Sequence, residues 1–371
     1  MSQGVVRATL WPLDRVRARI LRQFKVLLRP LVVDRELRVA LTGVLLVAAA
    51  FVGALALPLW MLALGPIVWG IPHVLADVRY LVVRPGHHRR PWLVGLVGVP
   101  LLVVAVGGGV VAGLVGAGGA LIAARCDGRR RAAGLAVVVV GVAGALSLGP
   151  AADLIFAHIH NFIAVGLWWA WRRRAGRAHG WPLAIYVAGV VALGLGIGDG
   201  LVGSTLSAGW ALGGMDGVWF AESLAPGLPS GWAARLVILF AFAQAVHYGV
   251  WVRLVPEEDR PQRTPRSFLA SYRALESDFG PWPLALVGLG CVALAIWAVV
   301  DLAEARTGYL RMAIFHGHLE LAAAALLFAE GRPLSADEGA DPGAGHGRPP
   351  GRPPSAGEGC RVVGSEGEEG G

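Results

Sequence analysis

Long apolar runs recur through residues 36–330, and short arginine-rich loops separate them. A helical run of about 20 apolar residues is long enough to cross the hydrocarbon core of a bilayer. Of all residues, 55% are hydrophobic and only 16% are charged, whereas soluble domains are usually near one quarter charged. The pattern therefore predicts an all-α, polytopic integral membrane bundle and excludes an ordinary soluble domain.

The loops favour a count of about ten membrane-spanning helices, with the break at Gly107–Gly109 dividing one long run into two. Arginines cluster after the second, fourth, sixth and eighth spans, so that alternate loops are basic, as the positive-inside rule requires. Arg306 and Arg311 are the exceptions. Both termini are expected to be cytoplasmic, with the protein in the bacterial inner (plasma) membrane. The predicted spans cover residues 37–57, 59–83, 92–124 in two parts, 132–148, 152–171, 181–197, 232–254, 282–302 and 309–329.

The two ends of the chain differ from the apolar middle. Residues 1–35 interleave basic and apolar side chains, which is typical of an amphipathic helix on the cytoplasmic membrane surface. A basic flank that only fixes orientation fits the same residues. Residues 331–371, rich in Gly, Pro, Glu and Asp, are expected to be a disordered cytoplasmic tail. Because membrane topology explains the net charge of +8, no nucleic-acid partner is expected.

Histidine placement is the main functional signal. Six of the ten histidines lie inside four predicted spans, where polar groups are costly and usually functional. These four spans run in the same direction, so one mid-membrane metal site is possible. Imidazole is a good ligand for iron, zinc and copper. The candidate metal ligands are His73, His158, His160, His247, His316 and His318, while His87, His88, His179 and His346 lie in loops or the tail and are expected to be solvated.

Spacing refines this set. On a helix, residues two apart diverge by about 200°, so only one histidine of each pair, 158/160 and 316/318, is expected to be a ligand. Asp77 follows His73 by four residues, and Glu320 follows His316 by four. Each carboxylate could orient its histidine or bind the metal directly. The candidate catalytic residues are Asp77, Glu320 and Tyr248, and Arg79 is expected to snorkel to the inner interface.

The segment GIPHVLAD, residues 70–77, resembles the GxPHGxxD signature of the bacterial Brp/Blh-type beta-carotene dioxygenases. The resemblance implies a polytopic membrane protein in which histidines hold non-haem Fe(II) for the oxidative cleavage of a carotenoid. It carries over His73 and Asp77 most directly, and then His160, His247 and one histidine of HGH. The chain departs from the family at Val74, where the motif has glycine, and at Trp251, where the family's third segment has a second histidine.

The sequence thus predicts a metal-dependent membrane oxygenase. Its partners would be dioxygen and an apolar small molecule from the lipid bilayer, such as a carotenoid or another polyisoprenoid. Two alternatives stay open: a b-type haem or electron-transfer protein, and a transporter with a histidine-lined path. Haem b, copper and zinc are the corresponding alternatives to Fe(II).

Overall fold

The computed structural model describes residues 3–171, 177–201, 213–260 and 264–331, and the regular elements within these ranges are all helical. Their bounds are α1 (Gln3–Gln23), α2 (Lys25–Val33), α3 (Arg35–Ala56), α4 (Pro58–Asp77), α5 (Pro91–Ala105), α6 (Gly109–Ala123), α7 (Gly128–Leu148), α8 (Ala151–Trp171), α9 (Gly180–Gly194), α10 (Gly217–Leu224), α11 (Ser230–Gly249), α12 (Val255–Glu258), α13 (Phe268–Phe279), α14 (Pro281–Val300), α15 (Leu302–Ala313) and α16 (Phe315–Glu330). Two π-helical segments, Val78–Val83 and Val250–Leu254, continue α4 and α11, and short 3-10 turns cover His87–Arg89 and Arg177–His179.

Seven helical stretches among the described residues are long and apolar enough to cross a membrane. This confirms the predicted all-α membrane bundle in its coarse form. The other apolar helices, α5, α6 and α9, have 15 residues each, so the count of ten spans stays a prediction. The seven stretches are Arg35–Ala56, Pro58–Val83, Gly128–Leu148, Ala151–Trp171, Ser230–Glu258, Pro281–Val300 and Leu302–Glu330.

The predicted break between the third and fourth spans is present. α5 ends at Ala105 and α6 begins at Gly109. Gly107 in the connection has a φ of 103°, and Gly109, the first residue of α6, has a φ of 65°. Only glycine enters this left-handed region at little cost. The two helices then pack closely, since a Cβ at Gly119 would press on the carbonyl oxygen of Leu96. Small residues at such an interface are what membrane helices use for close approach.

The stretch that contains α11 lies at the centre of the bundle. In its most apolar window 67% of residues are buried, compared with 6% for Pro281–Val300 and 11% for Gly128–Leu148. The outer helices therefore turn most of their apolar side chains outward, as lipid contact requires. α4 and α8 each pack against both α11 and α16, so these four helices surround a common axis. They are the four helices that carry the membrane histidines.

Two basic residues near helix ends have carboxylate partners from segments distant in sequence. Arg79 is 6% exposed and its Nη2 lies 2.6 Å from Asp278 of α13, and its placement at the membrane interface stays a prediction. The prediction that His179 is solvated was wrong, because it is 2% exposed and its Nε2 lies 3.4 Å from Glu258. A segment distant in sequence covers this residue and supplies the carboxylate. His346 lies outside the described residues.

The N-terminal segment forms α1 and α2. These helices expose an apolar stripe at helical spacing that consists of Leu13, Val16, Ile20, Phe24 and Leu27. Asp14 accepts hydrogen bonds from the first backbone N–H groups of α13, which attaches α1 to that helix. An exposed apolar stripe flanked by arginines fits the surface-helix alternative. The predicted tail lies outside the described residues except for Gly331.

Candidate metal centre

Four imidazole rings meet inside the bundle, one from each helix around the common axis. They belong to His73 of α4, His160 of α8, His247 of α11 and His316 of α16. Centroid separations are 4.5 Å for His73–His316, 5.3 Å for His73–His247, 5.3 Å for His160–His247, 5.4 Å for His160–His316 and 5.7 Å for His247–His316. None of the four side chains is more than 7% exposed. The predicted convergence of the four spans is therefore present in the structure.

Three of these rings are fixed by backbone carbonyls three or four residues earlier in the chain. His73 Nδ1 lies 3.1 Å from the Trp69 carbonyl, His160 Nδ1 lies 2.7 Å from the Ala157 carbonyl, and His316 Nδ1 contacts the Ala313 carbonyl. A carbonyl can only accept, so in each case Nδ1 carries the proton and Nε2 keeps its lone pair. This is the arrangement expected for a metal-binding imidazole.

Asp77 completes a compact set of donors. One ligand atom each from His73, Asp77, His247 and His316 lies within 4.8 Å of the others. Two ligands about 2.1 Å from one ion can be at most roughly 4.2 Å apart, so these four atoms are close to coordination distance. Asp77 is fully buried, and neither of its oxygens has a hydrogen-bond partner among the described residues. The donor set thus offers three nitrogens and one carboxylate, with His160 at its edge.

Glu320 has a different partner from the one that sequence spacing suggested. Its Oε1 lies 3.3 Å from His247 Nε2 and accepts a 2.6 Å hydrogen bond from the indole of Trp251. It does not orient His316, and Asp77 does not orient His73. Helical side chains lean toward the N-terminus, so a histidine reaches the carbonyl three or four residues before it rather than the carboxylate four residues after it.

The second histidine of each close pair points away from the centre. His158 Nε2 lies 2.8 Å from the Leu224 carbonyl of α10. The His318 ring stacks on Phe156 with centroids 4.0 Å apart. Only one histidine of each pair lies in the cluster of four rings, as expected, and His158 and His318 lie outside the compact donor set, so the assignment of metal ligands stays a prediction. The helical rotation of about 200° between such residues is the reason.

Two further features border the centre. α4 and α11 both change to π-helix directly after their site residues, at Val78 and at Val250, and π-helical turns are frequent at functional sites. Tyr248, the residue after His247, places its ring 4.5 Å from the ring of His73. The tyrosine therefore lies beside the donor set, as its prediction as a catalytic candidate requires.

Sequence reasoning missed two residues that shape the site. Trp251 was noticed only because a histidine was expected there, yet its indole binds Glu320. Gly317 makes room for His160: a Cβ at this position would lie 3.1 Å from His160 Cδ2. The signal for Trp251 was its spacing of four from His247, and the signal for Gly317 was its place between two histidines on a packed helix.

The two carboxylates of the centre have no cationic partner among the described residues. Asp77 and Glu320 are both fully buried, and no lysine or arginine among the described residues forms an ion pair with either. Buried carboxylates without a cation are strongly unfavourable. A divalent cation held by the neighbouring imidazoles would compensate both charges, so the residues present fit a metal ion.

Comparisons with protein-family models, curated proteins and solved structures find no significant match to the chain.

Proposed function

We propose that this protein is an integral membrane oxygenase with a histidine-ligated non-haem iron centre, acting on an apolar substrate from the lipid phase. A carotenoid or another polyisoprenoid is the leading substrate class. The observation that carries the proposal is the buried carboxylate Asp77, which has no protein partner among the described residues and lies within 4.8 Å of three histidine donors.

The donor set favours iron. Structural zinc sites are usually closed tetrahedra rich in cysteine, whereas non-haem Fe(II) oxygenases combine histidines with a carboxylate and keep coordination positions open. Neither cysteine among the described residues contributes, since Cys126 and Cys291 are free and lie outside the donor set. Bound at this site, Fe(II) would supply the one-electron chemistry that dioxygen requires.

The chain's own residues would prepare the site. The Nδ1–H groups of His73, His160 and His316 hold their rings to helix carbonyls, which keeps Nε2 directed at one region. Glu320 Oε1 lies 3.3 Å from Nε2 of His247 and supplies a carboxylate next to that ring. The surrounding helices exclude water, which would protect reactive species and favour an apolar substrate.

The geometry favours a bare ion over haem b. A haem between two axial histidines needs its equatorial plane free of side chains. In this cluster the third and fourth imidazoles lie between 4.5 and 5.7 Å from their neighbours, and Asp77 adds a carboxylate. Side chains therefore occupy the positions that a porphyrin would need.

We also propose the full topology of ten spans with both termini on the cytoplasmic side of the inner membrane. Cysteines introduced by Ser147→Cys at the end of α7 and Ser271→Cys in α13 test it, in a background where the native cysteines are replaced. Both serines are exposed. An impermeant maleimide added to intact spheroplasts should label only position 147. Labelling of position 271 from outside would contradict the topology.

Metal analysis and an optical spectrum test the function most directly. We expect about one iron per chain after anaerobic reconstitution with Fe(II), no Soret band, and oxygen consumption that depends on added beta-carotene or a polyisoprenoid. Loss of iron in the His73→Ala variant ties the metal to this site. Purified protein that binds no divalent metal, or that carries stoichiometric haem, would overturn the proposal.

A further inference from the structure

A buried arginine lies at the end of the bundle where α4 and α15 begin. Arg306 is only 5% exposed, and its Nε donates a 2.8 Å hydrogen bond to the Leu62 carbonyl. Its guanidinium carbon lies 5.3 Å from the ring of Trp219 and 5.1 Å from the ring of Phe220, both on α10. It is also one of the two arginines that broke the alternation of basic loops, so membrane topology does not explain it.

The charge of Arg306 has no carboxylate partner among the described residues. Residues 202–212, which lie outside the described ranges, contain no Asp or Glu. Of the guanidinium donors, only Nε has a hydrogen-bond partner within the described ranges. A carbonyl and two aromatic faces compensate a buried cation in part, and an uncompensated buried charge is strongly destabilising. An anion from outside the chain would complete the site.

Polar side chains lead from Arg306 to the metal centre. Tyr248 lies beside Gly65 of α4, three residues after Leu62, because a Cβ at Gly65 would lie 3.5 Å from its ring, and that ring lies 4.5 Å from the ring of His73. Tyr309 adds a buried hydroxyl that has no hydrogen-bond partner among the described residues. A ligand held at Arg306 would therefore extend past two phenols toward the donor set.

We propose that Arg306 binds the anionic head group of an amphiphilic substrate, whose apolar chain runs along α4 to the metal centre. Leu62 and Arg306 are each the fifth residue of their helices, and the proposed topology puts these helix starts close to where lipid head groups meet the hydrocarbon. From Leu62 to His73, α4 rises by about 16 Å. The oxidised position would thus lie well down the chain and not next to the head. Only the role of this amphiphile as a substrate rests on the proposed function, because binding of its head group needs no metal.

The apolar side chains around Arg306 favour binding of an amphiphile over binding of an inorganic anion. Trp219 and Phe220 flank the guanidinium, and Phe220 is fully buried. A free phosphate ion would lose its hydration there without apolar contacts in return. A carboxylate or phosphate with a long hydrocarbon tail gains both the ion pair and burial of the tail.

Trp219 provides a local optical reporter. In purified metal-free protein, 2-bromopalmitate should quench its fluorescence saturably, and the Trp219→Phe variant should lose that component. We expect the acid to bind at least 10-fold more tightly than the matched bromo-alcohol. Arg306→Gln should weaken acid binding by at least 10-fold, Arg306→Lys by less, and Arg311→Gln on the exposed face of α15 should behave as wild type. Competition by palmitate and by hexadecyl phosphate distinguishes a carboxylate head from a phosphate head.

Two results would overturn the assignment. One is equal affinity of wild-type protein for the acid and the alcohol, which is decisive even where Arg306→Gln fails to fold. The other is a folded Arg306→Gln variant that binds the acid as wild type does. Because these measurements use metal-free protein, they stand apart from the iron analysis: absence of iron would end the oxygenase proposal and leave the anion site standing.

Discussion

The indole Nε1 of Trp251 donates a 2.6 Å hydrogen bond to Glu320 Oε1, joining the central helix stretch to α16. The same oxygen lies 3.3 Å from Nε2 of His247, four residues before the tryptophan. All three side chains are at most 2% exposed. Glu320 is thus held in place by the indole on one side and lies beside an imidazole on the other, the position of the carboxylates that often accompany metal-bound histidines.

Replacing the indole tests this arrangement. Trp251→Phe keeps an aromatic ring but removes the N–H donor, so Glu320 loses its fixed position. Metal affinity should fall about 10- to 100-fold, as is typical when an outer hydrogen bond to a ligand is lost. Isothermal titration with Fe(II) under anaerobic conditions measures the change. Trp282→Phe, at a tryptophan that is 80% exposed, is the matched control and should bind as wild type.

The close histidine pair of α16 offers an internal comparison. His316→Ala should abolish stoichiometric metal binding, because this histidine belongs to the compact donor set. His318→Ala should keep the metal, because that ring stacks on Phe156 instead. Metal content of the two purified variants by mass spectrometry gives the answer. Equal loss in both would mean that α16 is rotated or distorted relative to this structure.

Asp77 should show opposite effects on metal binding and on stability. Asp77→Asn removes the charge while keeping the size, so Fe(II) affinity should fall at least about 10-fold. The metal-free protein should become more stable, because a neutral amide is less costly to bury than a carboxylate without a cation. Thermal unfolding of metal-free and reconstituted protein measures both effects. The control is Asp301→Asn, at an exposed helix N-cap that asparagine fills equally well, and it should leave both Fe(II) affinity and thermal stability unchanged. Unaltered Fe(II) affinity in Asp77→Asn would show that Asp77 is not a metal ligand.

Gly317 should be intolerant of even one methyl group. A Cβ there would lie between 3.1 and 3.2 Å from three atoms of His160, so Gly317→Ala must displace that ring by a few tenths of an ångström. We expect weaker metal binding and an altered ligand-field spectrum of a Co(II)-substituted sample. Gly166→Ala on α8, where a Cβ would meet nothing within 4 Å, controls for the helix propensity gained by alanine. A Gly317→Ala spectrum identical to that of wild type would show that His160 lies outside the coordination sphere.

Much of the architecture follows from local sequence. The apolar runs, the glycines at 107 and 109 and the placement of six histidines in four spans depend only on nearest neighbours along the chain. Helical geometry even predicts that one histidine of each close pair must turn away. It could not say which one, because that depends on how α8 and α16 are rotated about their own axes by packing.

The partners of several side chains could be assigned only from the tertiary structure. Spacing paired Glu320 with His316, but the packing of α16 beside the π-helical turn after α11 gives it His247 and Trp251 instead. His179 was expected to be solvated, but a distant segment covers it and supplies Glu258, and another distant segment supplies Asp278 as the partner of Arg79. Sequence determines where helices lie and which face is polar, since these depend on a repeat of 3.6 residues. Contacts between helices depend on rotation, depth and side-chain reach together, and only the folded chain fixes all three.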